Sequence, residues 1–216
     1  MTTKYIFSGN RFREKILIVS GIHGDEGDII PYLKIFLEQK TKEFPFLFIP
    51  ELSDTALQKK TRENDLNQDL NRNFFDDSQN HEISSVMETI NKFEPYSLAI
   101  SFHEDLEFSE TYIYDVGEKF YPLNLNQWKK SVIKSGIELL TGWDELDESK
   151  PLRSFITDGY SYASSAIDNG MFEYWVVHKK LAKRSLTIEI PHNASPTQKE
   201  QLVVNVFKNL IYPALI

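Results

Sequence analysis

The sequence predicts an α/β fold, a three-layer sandwich whose central mixed, mostly parallel sheet is flanked by helices. Two observations carry that expectation. Short apolar runs rich in β-branched residues and bounded by glycine, such as Ile16-Leu17-Ile18-Val19 before Gly21, read as strands buried on both faces. Between these runs lie segments with apolar residues at helical spacing, and strands alternating with helices argue for a covered, largely parallel sheet.

Taken in order, residues 4–7 form a short edge strand and Lys15–Ser20 a buried one. After a glycine-rich bend over 21–27, Asp28 is placed to cap a helix carrying Ile29, Leu33, Phe36 and Leu37 near one face. Phe46–Ile49 is a second apolar strand, followed by a polar stretch over 53–80. Ile83, Val86, Met87, Ile90 and Phe93 keep helical spacing until Pro95 stops the helix. Strands are expected at 97–102 and 110–114 and a helix over 127–140. Segment 141–170 is polar, aromatic and turn-rich, the natural place for a binding loop or lid. A helix over 172–180 and a strand over 185–190 follow. Ser195, Pro196 and Gln198 then spell a capping box for the final helix.

With 216 residues, no internal repeat and no low-complexity segment, the expectation is one domain over 1–216. Against 24 Lys and Arg stand 32 Asp and Glu, a formal charge of −8 that disfavours nucleic acid or an anionic membrane as partner. The chain has no cysteine, so disulfides and thiolate metal sites are excluded and any metal rests on His, Asp and Glu. Neither a signal-peptide pattern nor an apolar run of bilayer length is visible, which makes a cytoplasmic address the expectation.

Chemistry-bearing residues gather at strand ends. His23 and Glu26 follow the Lys15–Ser20 strand, and His103 follows the apolar run Leu98-Ala99-Ile100-Ser101-Phe102. Ligands of parallel sheets collect at the carboxyl ends of strands. Two imidazoles and a carboxylate make a His2Glu set that leaves a coordination position open, as catalytic zinc requires. A lone His-x-x-Glu pair is also common on surface loops. In Asp69-Leu70-Asn71-Arg72-Asn73-Phe74, a guanidinium beside amides suits bidentate capture of a carboxylate, although Arg72 can equally pair with Asp69, Asp76 or Asp77. Glu189 sits inside the apolar strand Leu186-Thr187-Ile188-Glu189-Ile190, where burial without a purpose is costly and period-two alternation allows either face.

Together, His23-Gly24-Asp25-Glu26, Asp69 to Phe74, Ser101-Phe102-His103 and Thr187-Ile188-Glu189-Ile190-Pro191 resemble the motifs of the zinc metallocarboxypeptidase superfamily, which includes the succinylglutamate desuccinylase and aspartoacylase branch. The pieces occur in that family's order and cover most of the chain. The resemblance implies one Zn2+ per chain on His23, Glu26 and His103, with Glu189 as general base. It implies Asn71 and Arg72 as the grip on a substrate carboxylate. Arg62, in Lys59-Lys60-Thr61-Arg62, becomes the candidate donor to the developing oxyanion, with Lys59 and Lys60 as neighbours able to serve. Tyr160 and Tyr162 become candidates to cover the substrate. Glu104 and Asp105 make the surroundings of His103 more acidic than in the digestive enzymes of that family. They are compatible with orienting a ligand, recruiting a cationic group, or facing solvent.

The implied activity is hydrolysis of an amide next to a free carboxylate. A carboxypeptidase acting on short peptides comes first, and a deacylase of N-acyl amino acids second. A metal-free relative that only binds peptides is the third possibility. Trp143, Phe155, Tyr160 and Tyr162 in segment 141–170 favour peptides, whereas Arg153 suits an acidic acyl group.

Overall fold

Every residue of the strand Lys15–Ser20 is buried, so both faces of its sheet must be covered by other elements. The structure, a computed structural model, describes residues 3–147, 153–164 and 167–215. In chain order its elements are β1 (Ile6–Ser8), β2 (Lys15–Ser20), α1 (Ile30–Lys40), β3 (Phe46–Ile49), α2 (Asp54–Lys59), α3 (His81–Phe93), β4 (Tyr96–Asp105) and β5 (Tyr112–Gly117). There follow α4 (Leu125–Lys134), β6 (Gly142–Trp143), β7 (Phe155–Ile156), β8 (Tyr160–Ala163), α5 (Phe172–His178), β9 (Arg184–Pro191) and α6 (Pro196–Val206). Seven strands form the central sheet in the order β1-β3-β2-β4-β9-β5-β8, and β6 pairs with β7 as a separate ribbon. Within that sheet only the β1–β3 and β5–β9 pairs are antiparallel. The fold is therefore α/β with a mixed, mostly parallel sheet.

Alternation along the strands feeds two cores. Ile16, Ile18, Leu98, Ile100, Phe102, Leu186 and Ile188 face one side, where Leu33 and Leu37 of α1, Trp128 of α4, and Leu202 and Val206 of α6 cover them. Leu17, Val19, Leu47, Ile49 and Ala99 face the other, under Ile83, Val86 and Ile90 of α3 and Phe172 and Trp175 of α5. Each such side chain, fully buried, contributes about 1.5–3 kcal/mol. Helices on both faces complete the three layers.

Several elements differ from the sequence expectation for local reasons. The first strand begins two residues later than expected and pairs with β3 at the sheet's edge. Within the polar stretch lie α2 and a 3-10 turn over Leu70–Arg72. The α2 helix is six residues long and buries one apolar side chain, Ala56, so it has no stripe to read. Asp28 does not cap α1; a 3-10 turn over Gly24–Ile29 intervenes, and the Ile29 N–H donates to Glu104 Oε2 at 3.1 Å. α4 stops at Lys134, where Ser135 and the left-handed Gly136 (φ 77°) turn the chain. Segment 141–170 contributes the ribbon and β8; residues 148–152 and 165–166, with Met1, Thr2 and Ile216, lie outside the described residues. The capping box is present, with Gln198 N donating to Ser195 Oγ and Ser195 N to Gln198 Oε1. Among the described residues no helix is long and apolar enough to cross a membrane.

Gly24 fixes how the β2 loop leaves the sheet. A Cβ there would lie 1.9 Å from the Ala56 carbonyl oxygen, a backbone atom of α2 that cannot step aside alone. Gly24→Ala is expected to lower the urea-unfolding free energy by about 1–3 kcal/mol or more, as overpacking does. It should also weaken binding of added Zn2+, measured by calorimetric titration. A variant with parental values on both would show that this approach does not constrain the loop.

Candidate metal centre

The connection from β2 runs to β3 on one side, whereas β4 lies on the other, so a crevice opens between the carboxyl ends of β2 and β4. His23 stands three residues beyond β2, and Glu26 lies in the 3-10 turn that follows. Gly24 N donates to the Thr61 carbonyl at 2.9 Å and holds that turn against the α2 side. His103 is the third residue from the end of β4. All three side chains are buried.

Glu26 is clasped by the two imidazoles. Its Oε1 is 2.6 Å from His23 Nδ1 and its Oε2 2.8 Å from His103 Nδ1. The Glu104 backbone N–H also donates to Oε2 at 3.4 Å. One donor atom from each of His23, Glu26 and His103 lies within 4.8 Å of the other two. Nitrogen, oxygen and nitrogen donors so placed suit zinc, and the remaining His23 nitrogen, Nε2, is 3.1 Å from Asp69 Oδ1. A carboxylate behind a ligating imidazole orients the ring and raises its basicity.

Charge follows this geometry. Burial opposes ionisation of Glu26, yet His23 and His103 outweigh it and hold the carboxyl well below the usual range. Burial disfavours the His23 imidazolium, but Glu26 and Asp69 prevail and push it up to about 9. His103 is raised in the same way, burial being overcome by Glu26. Asp69, despite burial, is held low by its bond to His23 and by Arg62 and Arg72.

Glu189 occupies β9 directly opposite His103 of β4, and Tyr112 of β5 stands opposite Glu189 in turn. Opposed residues share a face, so the three form a row at the edge of the His23–Glu26–His103 cluster. Burial pushes the Glu189 carboxyl up to about 8; His103 counteracts it, while Glu26, Asp105 and Glu173 add to it. Arg62 is exposed and spans the cluster, with Nη1 3.5 Å from Glu26 Oε1 and Nε donating to Asp69 Oδ2 at 3.1 Å. Asn71 is buried, and its Oδ1 accepts the Phe172 N–H at 2.8 Å. Arg72 is exposed and donates through Nη1 to the Asn71 carbonyl at 2.6 Å. The pairing of Arg72 with Asp76 or Asp77 is not formed.

One expectation is corrected. Tyr160 and Tyr162 are not brought to the cluster. Tyr160 stands opposite Ile113, which is opposite Ile188, so β8 turns both tyrosines to the face away from Glu189. There Tyr160 donates to Asp115, which pairs with the buried Arg184, and Tyr162 donates to the Gly117 carbonyl at 2.9 Å. Glu104 is paired with the buried Lys199 on the opposite face, and Asp105 accepts from Tyr112 and from the N–H groups of Glu107 and Phe108. Arg153 stacks on Trp143 at 4.7 Å and donates to the Glu145 carbonyl. His81 starts α3 and His178 is exposed. Sequence reasoning passed over Asp69 as a support for His23. Its place two residues before Asn71 was the available signal.

No protein-family model matches the chain, and no curated protein matches it in sequence. Solved structures do match in fold. A proposed metallopeptidase from Shewanella denitrificans OS217 is 20% identical, with TM-score 0.76 over 98% of this chain and 79% of that one. A proposed carboxypeptidase A from Shewanella denitrificans OS-217 is 14% identical, with TM-score 0.65 over 98% of this chain and 59% of that one. The succinylglutamate desuccinylase from Chromobacterium violaceum is 14% identical, with TM-score 0.57 over 91% of this chain and 61% of that one. The chain shares its α/β fold with these proteins.

The protonation pattern sets a pH dependence for the metal-free protein. His23, raised from 6.5 to about 9, lends stability that is complete below pH 6.5 and lost as pH rises through 9. Glu189, raised from 4.5 to about 8, also favours the folded state in its protonated form, and that contribution fades between those values. Chelator-treated protein should therefore melt at a lower temperature at pH 9 than at pH 6. Added Zn2+ must displace the His23 proton, so calorimetry at pH 7 in buffers of different ionisation enthalpy should register proton release. Equal melting temperatures and no proton release would contradict the assigned charges.

Proposed function

We propose that the chain is a zinc-dependent hydrolase that cleaves an amide bond next to a free carboxylate, in the first instance a metallocarboxypeptidase acting on short peptides. The observation that carries the reading is Glu189, a carboxyl group with raised proton affinity, standing beside a buried His-Glu-His donor set at the carboxyl edge of the sheet. The fold shared with a desuccinylase and with proposed peptidases supports it.

His23, Glu26 and His103 would hold the ion, which when bound supplies Lewis acidity toward a carbonyl and toward water. Glu189 takes a proton from the attacking water and returns it to the departing amine, the work of a general base that then serves as acid. A proton affinity near working pH suits both halves of that exchange. Arg72 offers Nε and Nη2, uncommitted among the described residues, to the substrate carboxylate, and Asn71 supports the adjoining backbone. Arg62, spanning Glu26 and Asp69, presents a cation at the cluster for the oxygen that gains charge. Tyr112 and Tyr114, on the Glu189 face, line the far side.

Mass spectrometry of pooled short peptides and N-acyl amino acids, with and without a chelator, reads the reaction. Chelator-sensitive loss of carboxy-terminal residues is the expected result. Amino-acid release from the acylated pool alone would assign the deacylase reaction. Two untouched pools at full zinc occupancy would favour a peptide-binding role and sink the hydrolase reading. Glu189→Gln should lower kcat by about 10²–10⁴ while zinc content stays at one per chain. Arg72→Gln should raise KM by about tenfold or more with a smaller effect on kcat. Retention of parental rate by Glu189→Gln would exclude it as the base.

A further inference from the structure

Arg62 reaches the His23–Glu26–His103 cluster from a stretch that has no apolar anchor. From Gln58 to Asn67 every residue except Asn64 is exposed, Leu66 included. Buried apolar contacts therefore do not hold this stretch in one conformation, and its polar bonds must.

Asn64 is wholly buried and is the hub of those bonds. Its Oδ1 accepts the Leu66 and Gln68 N–H groups at 3.0 and 3.1 Å, and its own N–H donates to the Gln68 carbonyl at 3.1 Å. Its carbonyl accepts from Lys59 Nζ and from the Asn67 N–H, each at 3.1 Å. These bonds close 64–68 into a turn, with Arg62 just before it and Asp69 just after. The Asn64 Nδ2 group reaches outward and donates to Glu82 Oε2 at 3.2 Å.

Glu82 is the second residue of α3 and only 3% exposed. Ser53 Oγ and Thr55 Oγ1 donate to the same Oε2 at 3.2 and 3.0 Å, and the Thr55 N–H donates to Oε1 at 3.1 Å. All four donors are neutral, and among the described residues no lysine, arginine or histidine forms an ion pair with Glu82. Four donors converging on one buried group need an acceptor without a proton of its own, which a carboxylate is and an amide is not. Glu82 thus joins three places: α3, the start of α2, and the turn between Arg62 and Asp69. Asn80, the cap of α3, adds a bond from Nδ2 to Gln68 Oε1 at 2.6 Å.

We propose that Glu82 is a positioning residue for Arg62 and Asp69: bound to Asn64, it holds the loop that carries both, and so keeps Arg62 at the oxygen that gains charge. The consequence for rate rests on the hydrolase reading, whereas the hold on the loop does not.

The test uses the zinc-loaded full chain with a short peptide as substrate. Glu82→Gln sets an amide NH2 against one of the four donors. It should lower kcat by about ten- to hundredfold with little change in KM and one zinc per chain retained. In an Arg62→Gln background the same substitution should change kcat by less than about twofold, because the group being positioned is gone. Limited proteolysis with trypsin reads the hold without turnover. Cleavage within 59–63 should rise by about tenfold or more in Glu82→Gln, while cleavage at Lys15, inside β2, reports global opening and should stay within about twofold of the parent. Asn64→Ala, which removes the other end of the bond, should reproduce both effects and serves if Glu82→Gln does not fold. Faster cleavage within 59–63 in a protein that hydrolyses nothing supports the hold on the loop and counts only against the hydrolase reading. Parental kcat in Glu82→Gln, parental cleavage within 59–63, an equal loss of kcat in the Arg62→Gln background, or cleavage that rises in step at Lys15 would overturn the proposal.

Discussion

The Glu26 carboxylate, gripped by His23 at 2.6 Å and His103 at 2.8 Å, is the interaction on which the site depends. Three ionisable side chains are buried together there, a grouping that desolvation would disperse if each did not neutralise another. Their mutual attraction lowers Glu26, raises both imidazoles, and leaves a set of donors close enough for one divalent ion. Everything nearby serves to hold those donors still. Asp69 fixes the far nitrogen of His23, and the Glu104 N–H reaches Glu26 from the strand that carries His103.

The scaffold makes that arrangement affordable. β2 and β4 are parallel neighbours in register, so the residues beyond their ends emerge side by side. On the reverse face Glu104 binds Lys199 of α6 and the Ile29 N–H, which pins the Glu26 turn to β4 from below. Gly24 lets that turn lie against the α2 backbone. The site is thus braced by both helical layers.

Much of this was legible in sequence because strand ends announce themselves. Ile16 to Val19 and Leu98 to Phe102 are apolar runs that stop at polar residues, and the same edge of a parallel sheet then collects His23, Glu26 and His103. Glu189 was visible as a carboxylate in an apolar strand, but its face was not. Only the pairing of β9 with β4 decides it, and that register joins residues far apart in sequence. Tyr160 and Tyr162 failed for the same reason, since β8 joins the sheet at an edge whose register no local pattern encodes.

X-ray absorption at the zinc edge of protein loaded with one equivalent of Zn2+ reads whether His23, Glu26 and His103 hold the ion. Two imidazole nitrogens at about 2.0–2.1 Å are expected together with oxygen donors, with loss of one imidazole contribution in His103→Ala. A spectrum of oxygen donors alone, or one unchanged in that variant, would contradict the assignment of His23, Glu26 and His103 as the metal centre.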